Sequence, residues 1–167
     1  YYNVSRNPRK SRRAYENARR CAPADARILY ERDQLWRRMA IPPAVRLKEL
    51  KKHPDLVAAR DDLSLELCAL FNQTGQPEHA QAILQSRRFQ PWEGGEGQAL
   101  AQHVRTHLAI GTRLLRTGDA REAERHFRQA LDVPESLGEA RHLLANASDI
   151  WFWLGEAANA RNDRAAA

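Results

Sequence analysis

An internal repeat is the feature that most limits how this chain can fold. Three segments carry an apolar residue followed by a small one: Leu67-Cys68, Ile110-Gly111 and Leu154-Gly155. A turn residue stands seven positions after each small residue, and an alanine follows five positions later. The small residues are separated by 43 and 44 residues. A fixed period of this length indicates similar supersecondary units that stack on one another.

The units are predicted to be helical. No stretch alternates Val, Ile or Thr with polar residues, and apolar residues recur at helical spacing between Gly and Pro punctuation. Gly75 and Gly118 are expected to end one helix just before the next, and Asp119 to cap the helix that follows it. We therefore predict an all-α fold. Its helices are expected at 8–20, 24–40, 43–52, 55–73, 77–87, 96–116, 119–132 and 138–161, with a break near 146–148 left open.

Small residues predict where two helices cross closely. Two helix axes approach to about 8 Å only where the facing side chains are small. Gly111 on the first helix of the central unit meets this requirement, as do Ala123 and Ala130 on the second. Leu114 and Phe127 are expected to fill the space on either side. The sequence thus predicts an antiparallel hairpin packed around this crossing.

These segments resemble the tetratricopeptide repeat. Residues 151–158 match the first half of its pattern, Trp-x-x-Leu-Gly-x-x-Tyr, except that Ala158 stands in the Tyr place. Residues 123–130 match the second half, Ala-x-x-x-Phe-x-x-Ala, and Pro134 follows one residue early. The family period is 34 residues, so each unit here carries about 9–10 more. The resemblance implies an α-solenoid of stacked helix hairpins, with residues 1–167 as a single segment cut from a longer protein and a truncated repeat at each end.

A second resemblance covers nearly all of the chain. Residues 25–35, 88–97 and 134–139 are similar to the helical-repeat region of a family of large bacterial proteins. Those proteins carry an N-terminal β-sandwich domain similar to galactose mutarotase, which lies outside this sequence. The resemblance implies a repeat scaffold attached to a sugar-binding or sugar-acting domain. It implies no catalytic residue.

The resemblance to tetratricopeptide repeats also implies a ligand face, because the first helix of each hairpin lines the concave side of such stacks. With Gly111 and Gly155 as register marks, this face combines aliphatic and aromatic residues with charged ones. Its predicted members are Asp62, Leu65, Asn72, Gln73, Arg105, Leu108, Thr112, Leu115, Arg116, Asp149, Phe152, Glu156 and Asn159. Such a face favours an amphipathic helix or an extended segment as ligand. The alternative is that an inserted or neighbouring helix already fills the groove.

The glycine-rich loop at residues 92–97 has two interpretations. It lacks the Lys-Ser/Thr that follows a phosphate-binding loop, and its two carboxylates would repel an anion. Glu93 and Glu96 are expected to complement the dipole of the following helix. Either Trp92 packs between repeats while the glycines shape the turn, or Trp92, Glu93 and Glu96 form a docking loop for a partner or for the missing domain.

No group of residues indicates a catalytic or metal site. His103 and His107 share a helical face at a spacing that suits zinc, but no third ligand is evident, and we expect surface or groove histidines. Asp61-Asp62, Glu31 and Asp33 are expected to be helix-start charges and surface ion pairs rather than acid–base pairs. We therefore expect no enzyme activity, no cofactor and no metal.

The two cysteines, Cys21 and Cys68, form no metal or redox motif. We expect reduced, buried thiols, which fits a cytoplasmic setting. No apolar run approaches the ~20 residues of a membrane span.

Positive charge is concentrated at one end of the chain. Residues 1–20 hold seven basic groups and one acidic group, which accounts for the whole net charge of +6. Nucleic-acid binding through these groups is one alternative function, with aromatic side chains stacking on bases. The residues concerned are Arg6, Arg9, Lys10, Arg12, Arg13, Arg19 and Arg20, with Tyr1, Tyr2 and Tyr15. The neutral body of the chain argues against it.

The leading hypothesis is a non-catalytic scaffold that mediates protein–protein or interdomain contacts. Its partner would be a protein segment or the β-sandwich domain of its own chain. A further alternative is that the region positions or completes a carbohydrate site of the parent protein. The sequence does not indicate an oligomeric state.

Overall fold

The computed structural model describes residues 7–90, 93–142 and 145–161. Within these ranges every regular element is a helix, so the predicted all-α class is confirmed. None of these helices is both long and apolar enough to cross a lipid bilayer. The α-helices are α1 (Pro8–Cys21), α2 (Ala26–Arg38), α3 (Pro43–Leu50), α4 (Pro54–Ala58), α5 (Asp61–Gln73), α6 (Pro77–Ser86), α7 (Gln98–Arg116), α8 (Ala120–Leu131) and α9 (Ser148–Ala160). A 3₁₀ turn at Glu135–Leu137 follows α8.

The chain divides within α5 into two compact units. Unit 1 is Tyr1–Leu70 and unit 2 is Phe71–Ala167. The sequence analysis, by comparison, treats residues 1–167 as one helical-repeat segment. Each unit has its own buried core.

Unit 1 encloses charged groups within an apolar core. The buried Arg46 guanidinium donates to both carboxylate oxygens of Asp33, at 3.0 and 2.6 Å, and also binds Glu66. The sequence predicts a surface ion pair for Asp33, but only 3% of this residue is exposed, so that prediction is wrong. The core residues around these groups are Leu29, Leu35, Leu47, Leu50, Val57, Leu63, Leu65, Cys68 and Leu70. The ion pairs therefore join α2, α3 and α5 inside the unit.

The helix ends recur at the period seen in the sequence. Gly75 after α5 has φ +74° and Gly118 after α7 has φ +91°, a backbone region that glycine adopts without steric penalty. In both turns the residue after the glycine donates its N–H to the carbonyl five positions back, at 2.9 and 3.0 Å. Asp119 caps α8 as predicted, accepting from the Glu122 N–H at 3.1 Å.

The core of unit 2 is centred on the contact between α7 and α8. Gly111 on α7 faces the Phe127 ring, so the close crossing occurs at the predicted glycine. Phe127 lies directly over Gly111 rather than beside the crossing. Phe127, Ala123 and Ala157 are fully buried, which places α8 against both α7 and α9. The residues that pack around them are Leu108, Leu114, Leu115, Trp153 and Leu154.

The helix predicted over 55–73 is two helices. α4 and α5 are separated at Ala59-Arg60. The Ser64 hydroxyl donates to the Val57 carbonyl at 2.9 Å, and the Arg60 guanidinium binds the Asp62 carboxylate at 3.0 and 2.6 Å. These side chains stabilise a bend where hydrophobic periodicity alone predicts a continuous helix.

The helix predicted over 138–161 is confirmed only from residue 148 onward. Residues 138–142 and 145–147 are not helical. Gly138 has φ +66°. The Glu139 carboxylate accepts from the N–H groups of residues 99–100 at 3.4 and 2.9 Å, and Arg141 donates to the carbonyls of residues 130–131 at 3.0 and 3.2 Å. The segment satisfies the free ends of α7 and α8, and these bonds compete with helix formation.

Candidate functional site

One stripe of α7 carries predicted ligand-face residues. Arg105, Leu108, Thr112 and Arg116 follow at spacings of three and four residues, which places them along one side of the helix. Both arginines are exposed. Leu108 is half-buried because it packs against the core of unit 2. The Arg116 Nε donates to the Thr112 carbonyl at 3.2 Å, which leaves the rest of its guanidinium at the surface.

A matching stripe on α9 is exposed throughout. Asp149, Phe152, Glu156 and Asn159 again follow at spacings of three and four residues, and all four are exposed. Phe152 is 59% exposed and the adjacent Trp151 is 61% exposed. The stripe therefore presents Phe152 between two carboxylates, and the neighbouring Trp151 is a second large apolar side chain exposed on the same helix.

The exposed aromatic residues are fixed by the buried face of the same helix. The Phe152 ring packs edge-on against Trp153, with ring centroids 5.2 Å apart. Trp153 in turn stacks on the buried Phe127 at 6.1 Å. Phe152 is thus held by the core and still faces solvent. Apolar groups exposed together on a packed helix are typical of an interaction surface.

Most of the other residues predicted on the ligand face make contacts within the protein. Leu65 is 2% exposed and belongs to the core of unit 1. The Asp62 carboxylate is bound by Arg60, and its side chain is 10% exposed. Asn72 donates its amide to two polar side chains of α7, at 3.0 and 3.3 Å. Gln73 is exposed. Leu65, Asp62 and Asn72 therefore make contacts within the protein, and fewer of the predicted residues are exposed than the sequence suggests.

The predicted docking loop is only partly described. Trp92 lies outside the described residues. Glu93 and Glu96 are exposed, and Glu96 accepts from the Gly94 N–H at 3.2 Å. The carboxylate that binds the first N–H groups of α7 belongs to Glu139. The predicted dipole-complementing role at this helix start therefore falls to a residue from the later connector.

Three histidines form a cluster inside the hairpin of α7 and α8. His103, His107 and His126 are 7%, 4% and 5% exposed, so His103 and His107 are not the surface histidines that the sequence allows. The Nδ1 atoms of His107 and His126 are 3.0 Å apart. His103 Nε2 lies 2.8 Å from the Gln129 carbonyl oxygen. Because a carbonyl only accepts, His103 carries its proton on Nε2.

Burial lowers the pKa of all three rings in this histidine cluster. The pKa of His107 falls to about 3, first through burial and then through the charges of His103, His126 and Arg125. Burial also lowers the pKa of His103, although the Gln129 carbonyl and Asp132 act in the opposite direction. The cluster is therefore neutral near pH 7. Among the described residues no three His, Cys, Asp or Glu side chains are arranged to hold a metal ion.

A cavity of about 170 Å³ opens beside the histidine cluster. It lies between α6, α7, α8 and the 3₁₀ turn, and we call it the histidine cavity. Its lining residues are Gln81, Leu84, Gln85, His103, His107, Gln129, Asp132, Pro134, Ser136 and Leu137. Gln129 Oε1 is buried with no hydrogen-bond partner among the described residues.

Sequence reasoning found two of these histidines and missed His126 and Gln129. The predicted antiparallel crossing at Gly111 is the sequence feature that could have located both residues. It places α8 against the face of α7 that carries His103 and His107, and therefore brings α8 side chains to that face.

Two side chains in the basic N-terminal segment form hydrogen bonds within the protein. Arg19 donates to the Pro23 carbonyl at 2.6 Å, and the Tyr15 hydroxyl donates to Glu31 at 3.2 Å, so both attach α1 to the segment that follows it. Tyr1, Tyr2 and Arg6 lie outside the described residues. The exposed basic residues of α1 are Arg9, Lys10, Arg12, Arg13 and Arg20.

The cysteines differ from each other in exposure. Neither cysteine is in a disulfide, and Cys68 is buried as expected. Cys21, at the end of α1, is exposed, so the prediction of a buried thiol is wrong for this residue.

No protein-family model matches this chain, and no solved structure matches it.

Proposed function

We propose that this chain is a non-catalytic helical-repeat scaffold of the tetratricopeptide type that binds a protein segment. The segment belongs to a partner protein or to another part of the parent chain. The binding region, called the α7–α9 surface, consists of Arg105, Leu108, Thr112, Arg116, Asp149, Phe152, Glu156 and Asn159.

The observation that carries this proposal is the exposure of Phe152 on a helix whose other face is core. Ile150 is 1% exposed and Ala157 is 0% exposed, whereas Phe152 and Trp151 are 59% and 61% exposed. Apolar surface left in water is unfavourable by about 25 cal/mol per Å². A ligand that covers these rings recovers this free energy, and large aromatic side chains are enriched among the residues that dominate interfaces.

The charges on the two stripes indicate what kind of segment fits. The exposed charges of the α7 stripe are Arg105 and Arg116, and those of the α9 stripe are Asp149 and Glu156. A complementary ligand places acidic groups towards α7 and basic groups towards α9, with an apolar side chain against Phe152. An amphipathic helix or an extended segment with this distribution satisfies both stripes.

Peptide selection followed by affinity measurement tests the proposal. Peptides are selected from a random library against the whole chain, and binding is measured by fluorescence anisotropy. Phe152→Ala is expected to weaken the selected peptides by about tenfold or more, because truncating a central aromatic anchor typically costs 2 kcal/mol or more. Arg105→Glu with Arg116→Glu is expected to weaken acidic peptides most.

Two exposed residues outside the α7–α9 surface provide matched controls. Val45→Ala removes an exposed apolar side chain on α3, which is 49% exposed in the wild type. Arg121→Glu reverses an exposed charge on α8. Both are expected to leave the affinity unchanged. Equal affinities for wild type and Phe152→Ala would show that the peptides bind elsewhere.

A further inference from the structure

Gly155 on α9 is the repeat equivalent of Gly111 on α7, which stands 44 residues earlier. At Gly111 an added Cβ would overlap the Phe127 ring, so this ring of α8 covers the glycine. At Gly155 an added Cβ would meet nothing within 4 Å. A helix that covers Gly155 as α8 covers Gly111 is therefore absent from the described residues.

Two neighbouring positions on α9 show the same difference in burial. Trp151, four residues before Gly155, is 61% exposed, whereas its equivalent His107 is 4% exposed. Leu154 is half-buried, whereas its equivalent Ile110 is 4% exposed. Residues four apart lie on the same side of a helix, so Trp151 and Gly155 form one exposed strip. We call Trp151, Leu154 and Gly155 the Gly155 face.

The contact between α7 and α8 shows what kind of helix fits over such a glycine. Two helix axes approach closely only where the facing side chains are small. On α8 the ring of Phe127 lies over Gly111, with Ala123 four residues before it and Ala130 three residues after it. All three of these α8 residues are 0% exposed. An aromatic ring between two alanines therefore fits a helical glycine in this chain.

The Gly155 face is continuous with an interface that the structure already contains. α8 packs against both α7 and α9, and on the α9 side Phe127 stacks on Trp153 with ring centroids 6.1 Å apart. A helix over Gly155 would extend this layer of packed helices by one. It would also cover the ring of Trp151, and removing apolar surface from water is favourable.

We infer that the Gly155 face binds a helix in which an aromatic residue has alanine four residues before it and alanine three residues after it. The aromatic ring lies over Gly155, and the residue that precedes it, as His126 precedes Phe127, lies against Trp151. The same pattern occurs in this chain at residues 123–130. The Gly155 face shares no residue with the α7–α9 surface, so this inference is independent of the proposed function.

A synthetic peptide of residues 119–132 is the probe, because it carries both the pattern and the Asp119 cap. The fluorescein-labelled peptide is titrated with the whole chain, and binding is measured by fluorescence anisotropy. A helix of this length is marginal on its own, so the titration extends to high protein concentration. Saturable binding is expected. Phe127→Ala in the peptide is expected to weaken it by about tenfold or more, because it removes the aromatic anchor.

Gly155→Leu in the protein tests the other side of the same contact. The new side chain has space in the free protein, so the fold is expected to be retained. It occupies the place of the aromatic ring, and it is expected to weaken the peptide by about tenfold or more through overpacking. Ala160→Leu is the matched control, since it adds the same side chain at an exposed position five residues later, away from the Gly155 face. This control is expected to bind like the wild type.

Three results would overturn the inference. The first is the absence of saturable binding, and the second is equal affinity for the two peptides. The third is binding that Gly155→Leu leaves unchanged, because the peptide would then replace α8 in its own hairpin. Sedimentation velocity of the protein alone tests a different occupant: a concentration-dependent dimer that Gly155→Leu abolishes would assign the face to a second copy of the chain instead.

Discussion

The Phe127 ring lies so close to Gly111 that a Cβ built at position 111 would stand 2.8 Å from Cδ1 and 2.9 Å from Cζ of the ring. Real Cβ atoms do not approach other carbons to such distances. The fully buried Phe127 therefore requires glycine at the facing position of α7. This contact closes the hairpin of α7 and α8, on which the α7 half of the α7–α9 surface is built.

Gly111→Ala is expected to destabilise the protein by about 1–3 kcal/mol, because the added methyl overpacks the crossing. Urea denaturation followed by circular dichroism measures the change. Gly155→Ala is the matched control, since a Cβ there meets nothing within 4 Å. Alanine at that helical position is expected to stabilise by about 0.5–1 kcal/mol. Effects of the same sign at both glycines would contradict the assigned crossing.

Ala123→Leu is expected to cost about 1–3 kcal/mol for the same reason. Ala123 is 0% exposed and packs in the cluster with Phe127 and Ala157. A lower melting temperature in a thermal scan is the expected result. An unchanged melting temperature would remove Ala123 from the centre of this core.

Asp33→Ala is expected to cost about 3–5 kcal/mol, because it removes one partner from the buried Arg46 guanidinium. Burial raises the pKa of Asp33, and the bonds from Arg46 oppose that change. Removing the charged pair from water is therefore unfavourable, and the bonds between the partners offset part of that free energy. Glu135→Ala is the control. Glu135 pairs with Arg88 at side-chain exposures of 87% and 64%, and such a pair contributes about 0–1 kcal/mol. Denaturant midpoints of the two variants should differ clearly, and equal midpoints would refute a buried pair.

The histidine cluster is expected to make the protein less stable as the pH falls. The pKa of His107 is about 3 in the folded state against an ordinary value of 6.5. Between these values the unfolded chain binds a proton that the folded chain does not, so stability is lost as the pH decreases through this range. From pH 6.5 to 4.5 one such group accounts for about 2–3 kcal/mol.

Denaturation at several pH values measures this dependence. His107→Gln is expected to reduce the fall in the free energy of unfolding, because glutamine does not titrate. Glu49 does not contribute to this fall: burial opposes its charge, but its bonds to Lys52 and Arg32 lower its pKa to about 2, so its contribution to stability is lost only as the pH falls below the ordinary value of 4.5. A wild type equally stable at pH 6.5 and 4.5 would contradict the buried, neutral cluster.

The parts of the fold that sequence could predict are those with local causes. Gly75 and Gly118 mark helix ends because each adopts a positive φ, and Asp119 caps the next helix through its own side chain. The crossing at Gly111 could be predicted because only small residues permit it. In each case the deciding interaction lies within a few residues or depends on size alone.

The parts that sequence could not predict depend on distant partners. Residues 138–142 are non-helical because Glu139 and Arg141 bind the ends of two other helices. The burial of Leu65 depends on how its unit packs, and the histidine cluster depends on His126 from the neighbouring helix. Helical periodicity assigns residues to a face of a helix, but it does not identify what covers that face.

Photo-crosslinking at position 152 tests the central claim most directly. A photoreactive benzoyl-phenylalanine replaces Phe152 in one variant and the exposed Val45 in another. Both variants are irradiated with a peptide selected against the whole chain, and the products are mapped by mass spectrometry. The account predicts a crosslink from position 152 to an apolar residue of the peptide and none from position 45. A crosslink at position 45 alone, or equal yields at both positions, would contradict binding through the α7–α9 surface.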